Sequence, residues 1–130
     1  MNPMQVQVKA FHDTFGLNDV SSPQIPSAAV QRLRMRLIYE EAQEFAQASA
    51  AGDLPHAIKE LADLFYVVLG AANAYGVDIE PFFDEVHRSN MTKHWPDGEV
   101  RRDADGKILK PPTYSPANIE RILEAVISKQ

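Results

Sequence analysis

Five carboxylates in two short groups are the residues of this chain best placed to do chemistry: Glu40, Glu41 and Glu44, then, after fifteen intervening residues, Glu60 and Asp63. At 100° per residue with Val30 at zero, Leu33, Leu37, Ile38, Phe45 and Ala48 fill an arc from about 300° to about 80°, the side that should face a core. Glu44 at about 320° and Glu41 at about 20° fall inside that arc, and Glu40 lies at its edge at about 280°. Glu60 repeats the anomaly, bracketed by Leu64, Val67 and Ala71, with Asp63 one step further out. An ionised carboxylate in apolar surroundings is costly unless something compensates it. Arg34 and Lys59, the nearest basic residues, are too few for both groups. A hard divalent cation takes oxygen ligands and brings two positive charges, so Mg²⁺ fits, with Mn²⁺ as a substitute. Desolvation and mutual repulsion should raise the pKa values of the whole set. A lone Glu-Glu-x-x-Glu is ordinarily a solvated face. Here both groups sit on the apolar arcs of consecutive helices joined by a two- or three-residue turn, and antiparallel packing would bring them face to face.

The elements that must hold these groups are all helical. Val8, Phe11 and Phe15 recur at helical spacing up to Gly16. Residues 17–27, with an Asn18-Asp19 pair, two consecutive serines and two prolines, form a connecting loop. Ser27 caps a long second helix from Ala28 to about Ala51 that ends at Gly52. Asp53 caps a third, with Pro55 in its first turn, running to Gly76. Asp78 and Pro81 open a fourth that continues to about Lys93, and Ser115 with Pro116 opens a fifth. Between them, residues 94–114 are Pro-, Gly- and charge-rich. There, Val100–Arg102 and Lys107–Leu109 flank Asp105-Gly106, the pattern of a small β-hairpin. The expected fold class is therefore all-α, a bundle of about five helices with a four-helix core and a small loop or hairpin insertion.

With 130 residues the chain has the size of one domain, spanning 1–130. It has no cysteine, which excludes disulfides, thiolate metal sites and cysteine nucleophiles. The net charge of −5 disfavours a nucleic-acid or anionic membrane partner. No apolar run reaches the length of a membrane span, and the first residues lack the features of a secretory signal, so the expected location is cytoplasmic. His12, His56, His87 and His94 show no metal spacing. Trp95, ahead of Pro96, is a packing anchor rather than a stacking platform. Tyr66 and Asn73 share a face of helix three, where a subunit or a nucleobase would account for them.

The pattern Glu40-Glu41-x-x-Glu44, fifteen residues, Glu60-x-x-Asp63 resembles the signature of the all-α nucleoside triphosphate pyrophosphohydrolases, which include MazG, the dimeric dUTPases and phosphoribosyl-ATP pyrophosphohydrolase. Glu85 to Lys93, and Asp105 to Pro111 through Tyr114, resemble the compact MazG-like branch, some of whose members prefer dUTP. The resemblance implies that Glu40, Glu41, Glu44, Glu60 and Asp63 ligate metal or hold the attacking water, and that Asn90 and Lys93 face the substrate. Such a reaction converts a (d)NTP to (d)NMP and diphosphate. It requires neutralising a polyanion, placing a water in line and removing its proton. A carboxylate with a raised pKa can take that proton. Glu41 is the first choice, because it lies deepest in the arc, and Glu44 is the second catalytic candidate. Lys93, Lys107 and Lys110 would hold the terminal phosphates, with Tyr114 beside them and the hairpin loop as a cover. The apolar third helix suggests a homodimer or homotetramer. The alternatives are phosphoribosyl-ATP pyrophosphohydrolase, with the same chemistry in histidine synthesis, and a noncatalytic bundle that binds a metal or a helix.

Overall fold

The computed structural model describes residues 1–17 and 19–129; Asn18 of the Asn18-Asp19 pair lies outside them. Five helices follow in order: α1 (Pro3–Thr14), α2 (Ala28–Ala50), α3 (Leu54–Ala74), α4 (Glu80–Asn90) and α5 (Ile119–Ser128). The fold is all-α, and no helix is long and apolar enough to cross a membrane. Two compact units divide the chain, Met1–Ile79 and Glu80–Gln130.

In the first unit, each helix starts on the residue its local chemistry favours. Asn2 Oδ1 accepts from Gln5 N ahead of Pro3, Ser27 Oγ accepts from Val30 N, and Asp53 Oδ1 accepts from His56 N. A tight turn follows α2: Gly52 N and Asp53 N donate to Ser49 O and Ala48 O, and Gly52 adopts a φ of 70°. That turn folds α3 back along α2, while α1 packs against α3. The buried apolar residues are mostly small: Ala48 of α2 and Ala57, Ala72 and Ala74 of α3, joined by Val8 and Leu69. Small side chains let the helices approach closely. At the far end of α3, Gly76 (φ 73°) lies against the Ser22 backbone, where no side chain would fit. Fully buried Gln5 ties α1 to this end, donating to Asn73 Oδ1 (2.8 Å) and Val77 O (2.7 Å) and accepting from Ile79 N (3.1 Å). Helix α3 is apolar on two sides. Beyond its inner face, Leu54, Ile58, Leu61, Phe65 and Val68 form an outer stripe at alternating spacings of four and three, exposed from 39% to 67%.

In the second unit, α4 packs with α5, and a buried carboxylate, Glu85, organises the joint. It accepts from the Arg88 guanidinium and from Asn118 N, and lies 3.5 Å from Arg121. The predicted start of α5 is corrected here. Ser115 does not cap the helix, because its groups are already engaged: its hydroxyl by Arg88, its carbonyl by Ser89 and its amide by Thr92 Oγ1. The cap falls instead to Asn118, whose Oδ1 accepts from Arg121 N. The predicted hairpin is also corrected. Among the described residues it is no more than an isolated antiparallel bridge, Arg102 to Ile108, closed at Gly106 (φ 87°). Its arms are short and almost wholly exposed, and a two-stranded ribbon without a covered face is marginal in water.

Candidate metal centre

Glu41 and Glu44 are one turn apart on α2, and Glu60 and Asp63 one turn apart on α3. Because the tight turn sets the two helices antiparallel, the pairs meet. Glu41, Glu60 and Asp63 each bring a carboxylate oxygen within 4.8 Å of the others, and Glu44 shares hydrogen-bonding contact with Glu60. Glu60 is 2% exposed, Glu41 and Asp63 are half-buried, and Glu44 is exposed. Glu40 stands apart on the solvent side, where its carboxylate faces Arg36 at 3.5 Å. Of the five predicted acids, the fold thus gathers four.

The electrostatics of the four are uneven. Burial, then a hydrogen bond with Glu60, then the charges of Glu44, Asp63 and Glu60 push Glu41 up to about 7. Glu44 is raised too, chiefly by its contact with Glu60. Glu60 moves the opposite way, against the expectation of a uniformly raised set. The hydrogen bond from Glu41 holds it below the usual carboxylate range, and Glu44 and Lys59 add to this against the cost of burial. A carboxyl pair can form such a bond only when one of the two holds a proton, so the contact raises Glu41 as it lowers Glu60. Two nitrogens answer part of that charge: His56 Nε2 lies 3.1 Å from Glu60 Oε1, and Lys59 Nζ lies 3.4 Å from the same oxygen and 2.6 Å from Asp63 Oδ2. Neither reaches the other two buried oxygens. Glu41 Oε2 and Glu60 Oε2 have no hydrogen-bond partner among the described residues. Two orphaned carboxylate oxygens in an all-oxygen set beside Asp63 suit a hard divalent cation, so the residues present fit Mg²⁺ or Mn²⁺.

His56, set aside in the sequence for want of metal spacing, stands four residues before Glu60 and so on the same face. Arg34, considered there as a neutralising charge for the acids, belongs elsewhere. It is 6% exposed, its Nη1 reaches His12 Nε2 at 3.4 Å, and His12 Nδ1 meets the Asp19 carboxylate at 2.8 and 2.9 Å. Burial lowers the Arg34 pKa while Asp19 supports its charge.

The predicted substrate residues all lie in the second unit. Asn90 is exposed at the end of α4, its carbonyl accepting from Lys93 N. Lys107 N donates to Asp103 Oδ1. Lys110 Nζ stands 5.0 Å from the Tyr114 ring centroid, and the Tyr114 hydroxyl is hydrogen-bonded to Ser89 Oγ at 2.8 Å. The Arg101 guanidinium stands 4.0 Å over the Trp95 ring.

A model of the phosphoribosyl-ATP pyrophosphohydrolase family matches residues 8–90. The match takes in all four gathered acids and Asn90 and stops short of Lys93, Lys107, Lys110 and Tyr114. One similar solved structure, from Exiguobacterium sp. 255-15, is described as a candidate NTP pyrophosphohydrolase. It is 25% identical over 99% of this chain and 96% of that one, with a TM-score of 0.43. No curated protein matches the chain.

Proposed function

The chain belongs to the phosphoribosyl-ATP pyrophosphohydrolase family, and on that premise we propose that it is a Mg²⁺-dependent nucleoside triphosphate pyrophosphohydrolase, with residues 1–130 as one catalytic domain. The observation that carries this reading is the group of Glu41, Glu60 and Asp63, with two buried carboxylate oxygens that no donor reaches. Glu41, Glu44, Glu60 and Asp63 are the residues that would hold the metal. A bound divalent ion would supply countercharge to the triphosphate and polarise the phosphoryl group under attack.

The chain's own residues do the rest. Water adds across the α–β phosphoanhydride: a new P–O bond forms, the bridging P–O bond breaks, and diphosphate leaves the nucleoside monophosphate. The carboxylate that the metal leaves least engaged takes the proton of that water, and Glu41, deepest of the acids on its helix, is the candidate for that role. Glu44, exposed at the rim of the group, is the second group able to orient the water. The candidate substrate residues are Asn90, Lys93, Lys107, Lys110 and Tyr114, with the three lysines suited as point charges to terminal phosphates. A second copy of the chain covers the outer stripe of α3, giving a homodimer or homotetramer.

A panel of NTPs and dNTPs incubated with Mg²⁺ and read by phosphorus NMR tests the reading. Monophosphate with diphosphate is expected, with dUTP as the leading substrate. Nucleoside diphosphate with inorganic phosphate would reject cleavage at the α–β bond. Phosphoribosyl-ATP belongs on the same panel, because the family match favours it as the second reading.

A further inference from the structure

Lys59 holds a place that the proposed chemistry leaves unexplained. Its ammonium bridges Asp63 Oδ2 at 2.6 Å and Glu60 Oε1 at 3.4 Å, two of the three carboxylates grouped closely enough to share a cation. The rest of the side chain runs through solvent and is 65% exposed. The lysine therefore reaches into the acid group from outside and can leave it at little cost in packing. Glu60 cannot move with the same freedom: it is almost fully buried and also held by His56 at 3.1 Å. A divalent ion on these carboxylates would stand within a few ångströms of the ammonium, and like charges that close repel.

We propose that Lys59 is the resident counter-cation of the acid group, an occupant alternative to the divalent metal, so that metal binding releases Lys59 to solvent and Lys59 sets the metal affinity. The inference rests on the metal reading above but concerns a residue outside the ligand set. Without metal, the lysine keeps Glu60 and Asp63 from repelling each other. With metal, the same charge works against binding. The two roles predict opposite signs for one substitution.

Lys59→Met keeps the stem and removes the charge, and Lys59→Arg keeps the charge. Mn²⁺ titration by calorimetry on the full chain, without nucleotide, should show binding to Lys59→Met roughly two- to fivefold tighter than to wild type, the scale of an exposed ion pair. Lys59→Arg should stay close to wild type. In EDTA, Lys59→Met should melt below wild type, and saturating Mn²⁺ should close the gap. In the wild type, the Lys59 side-chain ¹³Cε resonance should move toward the value of a solvated lysine as Mg²⁺ is added. Equal Mn²⁺ affinity in Lys59→Met and wild type would make the lysine a bystander, and weaker affinity in Lys59→Met would make it a support for the ligands. Either result overturns the proposal while leaving the metal centre standing. If neither protein binds Mn²⁺, the metal reading falls and this inference with it.

Discussion

The seam between α2 and α3 carries two buried charged layers that solve the same problem in opposite ways. Arg34 is seven residues before Glu41 on α2, and Gly70 is seven after Asp63 on α3, so the layers lie two turns, about 10 Å, apart on the same face. The Arg34 layer is closed. An arginine can only donate and a carboxylate can only accept, so the imidazole of His12 bridges them, Nε2 accepting from Arg34 and Nδ1 donating to Asp19. One positive and one negative charge are joined through a ring, and α1 covers them. The acid layer is open. Four carboxylates have only the partial service of Lys59 and His56, and two buried oxygens remain without a donor. A charged layer that contains its own counter-charge serves the fold; one of a single sign is kept for a ligand that brings the missing charge.

The contrast is sharpest in activity. Glu41→Gln should lower diphosphate release by roughly 10²–10⁴-fold, the usual weight of a general base, while leaving the chain folded. A variant with near-wild-type turnover would show that the open layer is not where the chemistry happens. The closed layer should behave in reverse. Arg34→Met strands half of a buried charge pair, and denaturant unfolding of the metal-free protein should show a loss of about 3 kcal/mol. A loss below about 1 kcal/mol would mean the closed layer is not a neutralised unit.

A smaller effect probes how tightly the closed layer is packed. A Cβ on Gly70 would stand 2.9 Å from Arg34 Nη1 and 3.1 Å from His12 Nε2. Gly70→Ala should therefore destabilise by about 1 kcal/mol, because crowding the bridge outweighs the gain in helix propensity. A stabilised Gly70→Ala would show that the bridge has room to shift.

The mildest effect is in pH. Glu41 has a folded pKa near 7, above its ordinary value near 4.5, so the folded chain holds this proton more tightly than the unfolded chain. The stability this confers is complete below about pH 4.5 and is lost as pH rises to about 7. In calorimetry with EDTA, the melting point of wild type should fall relative to Glu41→Gln across that window and level off above it. The difference between Arg34→Met and wild type should show no matching slope. Parallel curves for wild type and Glu41→Gln would remove the raised carboxyl from the account. Glu60→Gln should not share the gain of Glu41→Gln, since the Glu60 carboxyl is shifted down where that of Glu41 is shifted up.

Much of the first unit is legible along the chain. Asn2, Ser27 and Asp53 cap because their side chains reach amides three residues on, and Gly52 and Gly76 close helices because only glycine takes the turn without strain. The second unit was read less well for the same reason. Ser115 has the right type to cap α5, but Arg88, Ser89 and Thr92 have already engaged it, and those partners are more than twenty residues away.

The sequence by itself determined that α2 and α3 exist and that acids interrupt their apolar arcs, since a helix's period and its terminal hydrogen bonds are properties of neighbours in the chain. Only the tertiary structure decided which acids form a group. A wheel fixes the direction of a side chain from its own axis and says nothing of what stands opposite, so Glu40, at the edge of the arc, went to Arg36 and solvent while Glu41 met Glu60. The opposite shifts of Glu41 and Glu60, the reach of Lys59 into the group, and the capture of Arg34 by His12 and Asp19 all depend on distances of a few ångströms between elements. Electrostatic and hydrogen-bond energies change steeply over such distances, and helical periodicity does not encode them.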